Sequence, residues 1–125
     1  MGGRGAWSGT SARLRNYQRV KIPRAKISNY LLNPSKAKDK ARFLKQLGYN
    51  MKNQARLQKD IREGLKNNRA RYSEPNRFDR IHFQVNMELG IDKKAKVVVG
   101  FVMDKGDKAP RLETIRPYHG KRDDF

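Results

Sequence analysis

RIHFQVNMEL (80–89) alternates strictly: Ile81, Phe83, Val85, Met87 and Leu89 are apolar, and Arg80, His82, Gln84, Asn86 and Glu88 between them are polar. A period of two places the apolar set on one face of an extended strand and the polar set on the other. Downstream, Gly90 to Lys94 reads as a turn, Lys96 to Met103 as a second strand, Asp104 to Asp107 as another turn and Arg111 to Tyr118 as a third strand. Upstream the period lengthens to that of a helix. Ile22-Pro23 reads as a helix entry followed by Ile27, Tyr30 and Leu31 on one face, with Asn33-Pro34 as its end. Ser35 caps a second helix over 35–47, striped by Ala37, Ala41, Leu44 and Leu47, with Gly48 at its left-handed end. Asn50 caps a third, carrying Leu57, Ile61 and Leu65 and broken at Asn67-Asn68.

The expectation is an α+β fold in which N-terminal helices pack on a C-terminal antiparallel sheet of three to four strands. Residues 1–20 hold four Gly and four Arg without a sustained apolar period and read as a flexible basic arm. Residues 21–119 form the single α+β domain, and 120–125 a flexible tail. The chain of 125 residues has room for one core. No stretch approaches the roughly 18 to 20 apolar residues of a membrane span, and the first residues lack the apolar centre of a secretory signal. The expected location is the cytoplasm.

Charge is the strongest signal. Thirty Lys and Arg oppose twelve Asp and Glu, a formal net charge of +18. The excess is uneven: residues 1–77 carry twenty basic and four acidic side chains, residues 78–125 ten and eight. Lys36, Lys38, Lys40, Arg42, Lys45, Lys52, Arg56, Lys59, Arg62, Lys66, Arg69 and Arg71 crowd the helical region with only Asp39, Asp60 and Glu63 nearby, so they repel one another unless an anion binds. These twelve are the candidate nucleic-acid-binding residues; the plain alternative is a solvated basic face. No Cys is present, the two His lie far apart, and neither a phosphate-binding glycine loop nor a metal-ligand spacing occurs, so no cofactor and no metal is expected.

IPRAKISNYLLNP (22–34), KDKARFLKQLGY (38–49) and VMDKGDKAPRLETIRP (102–117) resemble an uncharacterised domain of phages and of the C-termini of polymorphic toxins. The resemblance implies kinship with the barnase–EndoU–colicin–RelE class of small metal-independent ribonucleases, whose layout is helices followed by a curved antiparallel sheet. It also implies a protein of a mobile genetic element. Where that family tends to end its last strand on Thr and an aromatic residue, this chain has Thr114-Ile115-Arg116.

Metal-independent cleavage of RNA needs a base for the 2′-hydroxyl proton, an acid for the 5′-oxygen and cations for the charged phosphate. His82, Thr114 and Arg116 are the catalytic candidates: His is the residue type whose charge changes between pH 5 and 8, and the family resemblance points to the strand end that holds the other two. Each has a bland reading as a solvent-facing strand residue. Glu88 is a further possible base, with cross-strand pairing as its alternative. The sequence leaves open whether the polar face of 82–88 and that of 114–118 coincide, because that depends on strand register.

The expected function is therefore an RNA-binding protein of a mobile element, with metal-independent endoribonuclease chemistry at the sheet, acting on a structured host or guide RNA. Two alternatives stand beside it. One is a non-catalytic, anti-CRISPR-type inhibitor whose partner is a ribonucleoprotein such as an RNA-guided nuclease, or its guide-RNA loading. The other is a DNA-binding accessory protein of transfer or packaging. No membrane partner is expected.

Overall fold

The computed structural model describes residues 7–14, 17–28 and 38–124. One antiparallel sheet of five strands in the order β1-β2-β3-β4-β5 carries helices on one face. The strands are β1 (Trp7–Arg13), β2 (Arg69–Ser73), β3 (Ile81–Leu89), β4 (Ala95–Met103) and β5 (Arg111–Pro117). The helices are a single turn, α1 (Arg24–Lys26), then α2 (Lys38–Gln46) and α3 (Gln54–Asn67). The α+β class and the helices-on-sheet layering agree with the pattern of the sequence.

α3 shows why. Asn50 accepts from the backbone N–H groups of Lys52 (2.8 Å) and Asn53 (3.2 Å), and the Asn53 side chain accepts from the Asn50 N–H (2.8 Å). These reciprocal bonds satisfy donors that the start of a helix leaves open. Leu57, Ile61 and Leu65 then fall on the buried stripe, all fully inaccessible, and each contributes about 1.5–3 kcal/mol by leaving water. They lie against Val85 and Met87 of β3, Val97, Val99 and Phe101 of β4 and Ile115 of β5 in one core. Gly64 permits the close approach: a Cβ there would stand 2.3 Å from the Met87 sulfur.

The LGY end of the KDKARFLKQLGY block is structural. Gly48 takes φ +99°, the left-handed conformation expected after α2. Leu47 accepts a 2.8 Å bond from the Ile91 N–H, and the buried Tyr49 hydroxyl donates to Asp60 (2.6 Å) while accepting from the Gly90 N–H (2.9 Å). Burial, and then the Asp60 carboxylate that its proton serves, push the Tyr49 phenol above its ordinary range. Tyr49 thus ties the β3–β4 turn to α3. Tyr49→Phe leaves a buried Gly90 N–H without an acceptor and is expected to cost about 1–3 kcal/mol. An unchanged urea midpoint in that variant would refute the assignment.

Three expectations need correction. Residues 1–20 were expected as a flexible arm, but 7–13 form β1, 17–19 a 3₁₀ turn, and Val20 is buried. That turn is held by Arg62, whose guanidinium donates to the carbonyls of Tyr17 and Gln18, both at 3.0 Å. Together with β2 this raises the sheet from three or four strands to five. The tail is likewise ordered at 121–123, where a 3₁₀ turn buries Asp123. The expected first helix is helical at 24–28, as far as it is described, and its expected end at Asn33-Pro34, with 35–37 of the second, lies outside the described residues.

Candidate functional site

Strand register answers the question that the sequence left open. Gln84 pairs with Gly100 and Gly100 with Thr114; Asn86 pairs with Val98 and Val98 with Arg116; His82 pairs with Val102 and Val102 with Arg111. The polar residues of β3 and β5 therefore share the sheet face opposite the helices. On β2, Arg71 pairs with Gln84 and joins the same face, donating from Nε (3.0 Å) and Nη2 (2.7 Å) to the Gln84 amide oxygen.

At one end of this face stands a pair of which the sequence pattern shows only His82 and hides Glu113. His82 Nδ1 lies 3.3 Å from Glu113 Oε1, and each side chain is 37% exposed. Strict alternation from the buried Leu112 would make Glu113 and Thr114 face opposite ways, but the β4–β5 register shifts between Gly100 and Phe101, so one extra residue stands on β5. Such a bulge turns two successive side chains toward one side. A signal was present: the apolar residues Leu112 and Ile115 are three apart where a regular strand spaces them by two. Gly100 leaves room above the sheet, since a Cβ there would be 3.0 Å from the Thr114 methyl. Behind His82, its backbone N–H donates to Ser73 Oγ at 3.0 Å.

A charged rim borders the His82 end. Asp104 accepts from Arg80 Nε (2.6 Å) and Arg111 Nη2 (2.8 Å), and Arg111 also reaches Asp107 (3.2 Å). Arg80, then Arg111, hold the Asp104 carboxyl below its usual range. At the other end, Arg116 presents its two Nη groups to Asp123 at 2.9 and 2.6 Å, and Asn86 donates to the Asp123 carbonyl at 2.6 Å. Arg116, expected as a phosphate contact, has its forked edge closed by a carboxylate of this same chain. Val98, on the same row, is 1% exposed, so the turn at 121–123 covers that end of the face.

A family model described as "Domain of unknown function (DUF6883)" matches residues 13–119. The chain belongs to that family. No curated protein and no solved structure matches it. The DUF6883 match takes in His82, Glu113, Thr114 and Arg116, and it ends before Asp123.

The basic residues of this DUF6883 protein divide into groups. Arg42, Lys45, Lys52, Lys59, Lys66 and Arg69 are exposed. Arg56 is paired with Asp60 (3.0 Å), Arg62 serves the 17–19 turn, and Arg71 belongs to the His82 face. Lys38 and Lys40 lie on α2, and Lys36 lies outside the described residues. Because α3 packs on the apolar side of the sheet, its cations stand across the sheet from His82. Among the described residues no three His, Asp or Glu side chains gather as metal ligands, and no helix is long and apolar enough to cross a membrane.

Proposed function

We propose that this protein binds RNA and cleaves it without a metal ion at the open face of the sheet, with His82 as the proton-transfer group and Glu113 as the residue that orients it. The observation that carries this reading is the His82–Glu113 pair, half exposed on a polar sheet face, with Thr114 beside it and guanidinium groups on its border. The arrangement has the logic of a nucleophile–base–orienter triad in which the nucleophile belongs to the substrate. Glu113 accepts Nδ1–H and so leaves Nε2 with a lone pair for the 2′-hydroxyl proton. The 2′-oxygen bonds to phosphorus, the bond to the 5′-oxygen breaks, and the imidazolium returns its proton to that oxygen. The products are a 2′,3′-cyclic phosphate and a free 5′-hydroxyl. Thr114 donates its hydroxyl to the phosphate where negative charge develops.

The exposed cations of the helices act at longer range. A net charge of +18 attracts polyanions from any side and raises the rate of encounter. Incubation of the protein with single-stranded and structured RNA in EDTA is expected to yield fragments ending in cyclic phosphate. Intact RNA of shifted mobility would replace the enzymatic reading with the alternative of a non-catalytic binder.

A further inference from the structure

The loop between β2 and β3 carries the most exposed large apolar side chain among the described residues, Phe78, at 68%. The loop is built to hold it there. Asn76 Oδ1 accepts from the N–H groups of Phe78 (2.8 Å) and Arg80 (3.0 Å), the Asn76 N–H donates to the Arg80 carbonyl (3.0 Å), and Asp79 takes φ 59° to close the turn while its N–H donates to the Asn76 carbonyl (2.8 Å). Lys105 (3.7 Å from Asp79) and Asp104 (2.6 Å from Arg80) tie it to the β4–β5 loop. An aromatic ring kept in water by seven residues of organised loop contributes nothing to the core.

The Arg77 guanidinium carbon lies 4.9 Å from the Phe78 ring centroid, over one face of the ring, and the guanidinium has no carboxylate partner among the described residues. Phe78 thus offers an open π face backed by an unneutralised cation. It does so at the end of the sheet where His82 lies: Arg80, two residues before His82, shares Asp104 with Arg111, which stands in the His82 row. An aromatic face beside a guanidinium matches the two parts of a single-stranded nucleotide, a base to stack and a phosphate to neutralise. A base in a duplex keeps its faces within the stack and cannot use such a ring.

We infer that Phe78 and Arg77 form a stacking subsite for one unpaired base of single-stranded RNA, next to the phosphate cleaved at His82. This rests on the assignment of His82 and Glu113 as the cleavage centre, and it adds a preference for unpaired RNA that this centre alone does not supply. The preset loop lowers the ordering cost of binding.

The test uses a 2′-O-methyl single-stranded oligonucleotide, which lacks the nucleophilic hydroxyl and stays intact, together with its duplex. Phe78→Ala and Phe78→Leu are expected to weaken single-strand binding about tenfold, leave duplex binding within about twofold, and leave the fold intact, since the ring is in solvent. Phe78→Trp is expected to bind at least as tightly as Phe78. Arg77→Ala is expected to weaken single-strand binding and lower its salt dependence. The inference is overturned if Phe78→Ala binds the single strand like the parent, if Leu replaces Phe without loss, if strand and duplex weaken together, or if the parent binds neither. Cleavage of ordinary RNA in EDTA is scored separately. Cleavage with normal Phe78→Ala binding removes the subsite alone, whereas Phe78-dependent binding without cleavage keeps the subsite and removes the chemistry.

Discussion

His82→Ala is expected to lower the rate of RNA cleavage by about 10²–10⁴-fold, the usual loss when a positioned acid–base group is removed, with RNA affinity little changed. The imidazole sits on the solvent side of β3, and the strand is held by its own ladder and by the Ser73 bond to the His82 backbone, so the fold does not depend on the ring. Glu113 acts through His82, and its variants are expected to separate. Glu113→Gln keeps an oxygen that can accept Nδ1–H and therefore keeps more activity than Glu113→Ala, while the lost charge still costs rate because the imidazolium formed during reaction is no longer stabilised. Single-turnover rates in EDTA, with unfolding midpoints measured alongside, check both. Parent-like rates in His82→Ala would end the case for this face as a catalytic site, and equal rates in the two Glu113 variants would remove its orienting role.

Asp123→Ala is expected to destabilise the fold by about 3 kcal/mol, in the range for breaking a buried ion pair from one side. Asp123 is 1% exposed, and the change strands the Arg116 guanidinium and the His119 N–H that it now satisfies (2.6 Å to the latter). The Arg116 hydrogen bonds, and then the His119 N–H, hold the Asp123 carboxyl at about 2 against the upward push of burial. A carboxyl whose pKa is lower folded than unfolded stabilises fully above its unfolded value, near 3.9, and loses that contribution as pH falls toward its folded value. The stability gap between parent and variant should therefore be constant above about pH 4 and close between about pH 4 and 2. Chemical denaturation across that window checks it, and a gap that widens with acid would contradict the pairing.

How much of this was legible in the sequence depends on whether each element carried its own apolar period. β3 was readable to the residue because all five inward positions are apolar, and α3 because its stripe and its Asn50 cap agree. β2 reads Arg-Ala-Arg-Tyr-Ser with only Ala70 buried, and β1 reads Trp-Ser-Gly-Thr-Ser-Ala-Arg, so neither displays a periodic apolar set. β1 is a strand through its pairing with β2, and β2 through its pairing with β1 and β3, which no local window contains. The site followed the same division. Alternation put His82 on the polar face, Thr114 entered through the family resemblance, and only register puts the two on one face. Glu113 was missed because a bulge breaks the alternation that the reading relied on. Arg116 was correctly placed on the polar face, but its partner Asp123 lies in a tail that composition alone made look idle.

The register of β1 on β2 is irregular, slipping twice between Trp7 and Arg13, yet its position gives that loosely written segment a purpose. A meander ends in two open edges, and the edge at β5 is partly closed where Lys21 bridges Arg111. At the opposite side β2 would otherwise present its N–H and C=O groups to any passing strand, the arrangement through which soluble proteins associate edge to edge. β1 occupies that row. As the edge strand itself, 7–13 presents a row broken by two register slips, a poorer template for intermolecular strand addition than the β2 edge that trimming it would bare.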